Sequence, residues 1–276
     1  MSSLSLGTGL GLEGGSIDMP TIEWPQILAS LTLVLVAVGL SLWKGLKVER
    51  SILWASLRAA VQLLAVGALF SLIFESTIAM TWAAIWVAVM ILVSVETVAR
   101  RAKGIPGLRL SALASLGGAL LVTLTLVFGL GVFDLEPITL VVIAGITLGN
   151  TMPSAVLGAK TASKAFKDNP NQIEGLLALG LDRDMVARFM TPQAVRYALI
   201  PHIERTKVVG LIALPGAMTG MLLAGADALD AVLVQLVIMY LILGSVTIAV
   251  VAIVTIVASR ALTADIRLSP WVTEQN

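Results

Sequence analysis

Apolar runs of about twenty residues, repeated along the whole chain, constrain this sequence more than any other feature. A run of that length lets a helix cross a hydrocarbon core about 30 Å thick. With no water there to satisfy backbone N–H and C=O groups, such runs fold as helices that bond internally. Seven stand out, at 26–43, 52–74, 78–98, 111–133, 137–159, 208–226 and 229–259. The last exceeds what a span needs, which predicts tilt or projection beyond the bilayer. The sixth is short and interrupted by Pro215. Composition agrees: 58% of residues are hydrophobic and 13% charged, where soluble domains carry roughly a quarter charged residues.

The placement of charge orients these spans. Lys44, Lys47 and Arg50 follow the first; Arg100, Arg101, Lys103 and Arg109 follow the third. A long loop after the fifth holds Lys160, Lys164, Lys167, Arg183, Arg188, Arg196, Arg205 and Lys207, and Arg260 and Arg267 follow the seventh. The alternate connections carry Glu75, Asp134, Glu136, Asp227 and Asp230 and no basic residue. By the positive-inside rule the N-terminus is outside and the C-terminus cytoplasmic. The expected organisation is a disordered extracytoplasmic tail over 1–25, spans one to five over 26–159, a cytoplasmic loop over 160–207, spans six and seven over 208–259 and a cytoplasmic tail over 260–276. The fold class is an all-α, polytopic membrane helix bundle with seven spans and a cytoplasmic coupling loop.

Several function classes fall away. The chain has no cysteine and one histidine, His202, which rules out thiolate and histidine-cluster metal sites. No cluster of acids, histidines or nucleophiles at membrane depth supports an enzyme, and nothing points to nucleic acid.

Within the loop, Glu174 to Gly180 (EGLLALG) predicts a short helix, including Leu177, stopped by a glycine free to take positive φ. Asp182 is placed to cap a second helix through Arg183, Arg188 and Met190. Thr191 and Pro192 mark another interruption before the chain returns to the bilayer. An amphipathic pair lying on lipid uses the same pattern. The layout also resembles the coupling loop of ABC transporter permeases, in which a Glu opens a short helix, a Gly follows six positions later and a proline-containing segment re-enters the membrane. Glu174, Gly180 and Pro201 stand at comparable positions, and on that resemblance the helix is a stiff element against which an ATPase pushes.

Polar groups at membrane depth nominate a path. Arg58 lies about two turns inside span two, where burial of its charge costs about 2.5–3.5 kcal/mol unless it snorkels or finds a partner. Gln62 shares its face, and Glu96, near the cytoplasmic end of span three, is the counter-charge for an ion pair or inner gate, unless both simply reach the headgroups. Spans five and six carry GxxxG patterns at Gly145/Gly149 and Gly216/Gly220, which permit close packing. Asn150, Thr151 and Met152 follow the first and Met218 and Thr219 lie within the second, beside expected helix breaks at Pro153 and Pro215. Asn150 and Thr219 could donate oxygen, and Met152 and Met218 soft sulfur, to a metal, although methionine more often fills gaps. Gln235 in span seven is a further candidate, whereas His202 reads as interfacial.

ERSILWASLRAAVQLLAVG, AGITLGNTMPSAVLGAKTA and TKVVGLIALPGAMTGMLLAGADALDAVLVQLVIMYLILGS, with the loop between them, resemble the FetB family of permeases, from about Glu49 to Ser259. That family includes bacterial iron-export permeases and plant aluminium-tolerance proteins. The resemblance implies a permease subunit that pairs with a second copy and with a separate cytoplasmic ATPase, and exports iron or a related metal. ATP and Mg would bind the partner: GAKT at Gly158 to Thr161 lacks the upstream glycine of a phosphate loop. An ATP-independent secondary transporter or channel, for a metal ion or a small organic solute, is the alternative.

Overall fold

A computed structural model describes residues 24–74, 76–263, 265 and 267–273. Residues 1–23 of the expected tail, and Glu75, lie outside the described residues. The described chain is all helical: α1 (Trp24–Lys44), α2 (Glu49–Phe74), α3 (Ala79–Arg101), α4 (Leu108–Gly129), α5 (Pro137–Asp168), α6 (Pro170–Ala178), α7 (Arg183–Val208), α8 (Gly216–Leu223), α9 (Ala228–Ala261) and α10 (Pro270–Thr273).

Five of these are long and apolar enough to cross a membrane, in α2, α3, α4, α5 and α9, and a shorter apolar stretch, Leu28–Lys44, falls within α1. The sixth expected span is not one helix. Chain between Val208 and Gly216 departs from helix, with Gly210 at φ +85 and Pro215 extended at ψ 145. The eight residues of α8 reach only about 12 Å, well short of a hydrocarbon core. The break expected at Pro215 therefore forms. Those expected at Pro153 and Pro192 do not, since α5 and α7 run through them. Around Pro153, Thr151 and Ser154 donate to the carbonyls of Thr147 and Asn150 at 2.9 and 3.0 Å. Thr191 does the same for Ala187 at 2.6 Å. Burial of Ala155 and Ala159 in α5 and of Met190 and Ala194 in α7 opposes the roughly 3 kcal/mol that an internal proline costs.

The chain divides into two compact units. The first takes α1, α2 as far as Ala59, α8 and the start of α9 to Gln235; the second takes Ala60–Ala213 and Leu236–Asn276. In the first, the α1–α2 turn closes through Ser41, which donates to the Glu49 carboxylate at 2.9 Å and accepts from the Val48 N–H at 3.3 Å.

In the second unit the main core is built from small and β-branched residues, among them Ala112, Ala119, Ala144, Ala155, Ala159, Val250, Ile253 and Val254. Small side chains let backbones approach. A Cβ built on Gly158 of α5 would lie 3.2 Å from the methyl groups of Ile253 and Val254 of α9. The Gly145 of the expected packing motif meets only the end of Met90 at 3.3 Å, and Gly149 meets nothing within 4 Å. The close α5–α9 contact thus sits at Gly158, beyond the motif.

Helices α5 and α7 are antiparallel neighbours. Thr161 donates to the Ala194 carbonyl at 3.2 Å, and Ser154 meets His202 at 2.8 Å. The same register carries the end of α7 level with α5 near Leu148. The second half of α7 therefore runs beside α5.

Candidate functional site

At one end of the second unit, the sequence builds a rigid angle between α6 and α7. Pro170 occupies the first position of α6, where its missing N–H costs nothing. At the other end Gly180 takes φ +86, its N–H bonds the Leu177 carbonyl at 3.0 Å, and the Leu181 N–H bonds that of Leu176 at 3.2 Å. This paired closure satisfies carbonyls that would otherwise be bare. Two residues on, the Asp182 carboxylate accepts the Met185 N–H at 2.7 Å and caps α7. Both the glycine stop and the aspartate cap stand where the sequence places them. The helix start does not: α6 opens at Pro170, and Glu174 lies exposed in its middle.

This angle rests on a core of its own. Phe166 of α5, Ile173 of α6, Val186, Ala187 and Met190 of α7, Ala258 and Ala261 of α9, Leu262 and Val272 form one buried cluster. Met190, expected at a partner surface, belongs to that core. Arg183, expected there too, is half-buried, and its guanidinium donates to the carbonyl of Ser259 in α9. The C-terminal segment joins the same base, since Ser269 and Trp271 donate to the Arg260 carbonyl at 2.8 and 3.1 Å. Arg260 in turn donates to the carbonyls of Pro106 and Gly107 at 2.9 and 2.6 Å, at the start of α4. Among the outward residues of the angle are three large apolar side chains: Leu179 is 79% exposed, and Met185 and Phe189, neighbours on one face of α7, are each 56% exposed. Arg188 is exposed beside them.

The nominated path residues are distributed over both units. Asn150 is half-buried, and its amide donates to the Ile146 carbonyl at 2.8 Å. Thr151 is fully buried, and Met152 packs against the main core. Thr219 in α8 donates to the Pro215 carbonyl at 3.1 Å, with Met218 half-buried beside it. Asn150, Thr151 and Met152 belong to the second unit, Met218 and Thr219 to the first. Gln235 is 6% exposed, and its side-chain oxygen has no hydrogen-bond partner among the described residues. Arg58 and Gln62 are exposed on α2. The described partners of Glu96 are Arg100 and Arg109, at 2.7 and 3.0 Å. Among the described residues no group of three or more His, Asp or Glu side chains could hold a metal ion.

The sequence reading missed what ties α7 down. Ser154 donates to the Asn150 carbonyl at 3.0 Å and shares a hydrogen bond with His202 Nε2 at 2.8 Å. The lone histidine thereby holds α7 to the turn of α5 that carries Asn150. Neither residue has a local pattern that announces the pairing.

The model of UPF0014, an uncharacterised protein family, matches residues 24–262. The chain is 34% identical to the UPF0014 membrane protein slr1647 of Synechocystis over 84% of its own length and 91% of that protein. It is 33% identical to the UPF0014 membrane protein STAR2 of Oryza sativa, over 80% and 77% of the two chains. It is 28% identical to the probable iron export permease protein FetB of Escherichia coli, over 78% and 83%. No solved structure matches.

Proposed function

The chain belongs to the UPF0014 family of membrane proteins, and from that premise we propose that it is the membrane-spanning permease subunit of an ATP-binding cassette transporter. On this reading it works as a pair of copies in a bacterial inner membrane, exports iron or a related metal ion and is driven by a separate cytoplasmic ATPase. The bundle crosses the bilayer seven times. Its sixth span, over 208–226, is interrupted at Pro215. Unwound backbone at membrane depth needs protein or water around it, so the cargo path on this reading passes the break at Pro215.

The observation that carries the proposal is the capped α6–α7 angle, which exposes Leu179, Met185 and Phe189 and is bonded to α9 through Arg183. An ATPase closing on nucleotide needs a stiff element to displace. Here that element shares a core with α5 and α9, so displacement passes to the spans rather than being absorbed in a loop. The basic ends of α3, α5 and α9 gather at the same end of the second unit, through the Arg260 bonds and the shared cluster. This supports a cytoplasmic placement of the angle and of the C-terminus.

On this reading Asn150 is the oxygen donor of α5: it is half-buried, and its amide nitrogen is engaged by the Ile146 carbonyl. Transport of ferrous iron into inverted vesicles holding the purified chain and its ATPase tests the proposal. Uptake that needs hydrolysable ATP supports it. Uptake that proceeds without the ATPase supports a motor-free transporter instead.

A further inference from the structure

Between the ends of α3 and α5, a cleft of about 560 Å³ is lined by Arg100, Arg101, Lys103, Lys160, Lys164 and Lys167. One carboxylate, Asp168, shares it and stands 4.0 Å from Lys164. Arg100 is engaged by Glu96, but among the described residues no ion pair involves Arg101, Lys103, Lys160 or Lys167. Two helix C-termini contribute about half a negative charge each, which leaves the cleft with a large cationic excess. Like charges held this close repel one another unless an anion joins them.

The walls say which anion. Ala102 and Ile105, both buried, form the apolar part of the lining. On the same helix faces, further into the apolar lengths, Val93 of α3 is 58% exposed and Leu157 of α5 is 36% exposed. Val93 stands two turns before Arg100, and Leu157 one turn before Lys160 and two before Lys164. A ligand that fits both features carries phosphate at one end and hydrocarbon at the other. We infer that this cleft is a headgroup site for an anionic phospholipid, with the lysines of α5 and the arginines of α3 on the phosphates and the acyl chains along Val93 and Leu157. A general attraction of basic residues to an anionic leaflet requires charge alone; a concave site of this volume, in the range of small-molecule pockets, adds selectivity. The inference requires only that α3 and α5 span a membrane.

The test is native mass spectrometry of the full chain purified in detergent and offered diphosphatidylglycerol or phosphatidylcholine. The expected result is preferential retention of diphosphatidylglycerol, reduced at least about tenfold in Lys160→Gln/Lys164→Gln/Lys167→Gln and clearly weakened in Arg101→Gln. Removing the same number of cations elsewhere, in Lys44→Gln/Lys47→Gln/Arg50→Gln, should leave retention within about twofold. Equal loss in both triple variants would show diffuse attraction and overturn the site. Binding of inorganic pyrophosphate to the lipid-free protein, lost in the α5 triple variant while diphosphatidylglycerol retention is not, would assign the cleft to a soluble phosphate and overturn the lipid.

Discussion

The guanidinium of Arg183, at the first position of α7, donates to the carbonyl of Ser259 in the last turn of α9, two residues that lie 76 apart in the chain. This bond joins the proposed lever to the longest helix of the protein. A charge-assisted bond of this kind is worth about 1.5–3 kcal/mol. Arg183→Met, which keeps the aliphatic stem, should destabilise the second unit by that order in a detergent thermal melt. It should also lower the transport obtained per ATP hydrolysed more than it lowers ATPase binding.

Exposed apolar residues on the angle should act on binding and leave folding alone. Leu179→Ala and Phe189→Ala remove side chains that are mostly exposed, so stability should stay within about 0.5 kcal/mol. If they anchor the ATPase, each should weaken its capture by about tenfold or more. Surface-immobilised binding of the purified ATPase measures this directly.

Much of this is legible in the sequence. Twenty-residue apolar runs announce α2, α3, α4, α5 and α9, because a membrane leaves a chain few alternatives. Gly180 and Asp182 were readable as stop and cap because both act on backbone groups within a few residues of themselves. Pro153 and Pro192 misled for the complementary reason: the local cost of a proline is real, but burial of α5 and α7 on both sides of it is larger and is set by distant segments. Met190 and Arg183 read as surface residues since nothing nearby in sequence reveals that Ile173, Ala258 and Ser259 come to meet them. The same holds for Ser154 and His202, whose register exists only once α5 and α7 pack.

Gly107 and Arg260 should show a backbone requirement. Gly107 takes φ +63, and a Cβ there would fall 2.5 Å from the Arg260 guanidinium. A left-handed residue other than glycine costs about 1–2 kcal/mol, so Gly107→Ala should lower stability by at least that amount. Arg260→Ala should relieve the steric part and leave the backbone part, giving a less than additive double mutant in the same melt.

Gly158 and Gly149 should separate in a packing test. Enlarging Gly158 to Val drives a side chain into Ile253 and Val254, a kind of overpacking that costs about 1–3 kcal/mol. Gly149→Ala enters open space and should be close to neutral. Equal effects at both positions would place the helix contact at the GxxxG pattern after all.

If the chain is an ATP-driven permease, the α6–α7 angle lies on the cytoplasmic side as the seat of an ATPase. The chain has no cysteine, so a single Leu179→Cys reports without background. A membrane-impermeant maleimide should label it in inverted vesicles, fail to label it in right-side-out vesicles, and be blocked when the ATPase subunit is bound. Labelling from the outer side, or labelling that a bound ATPase leaves untouched, would contradict the account.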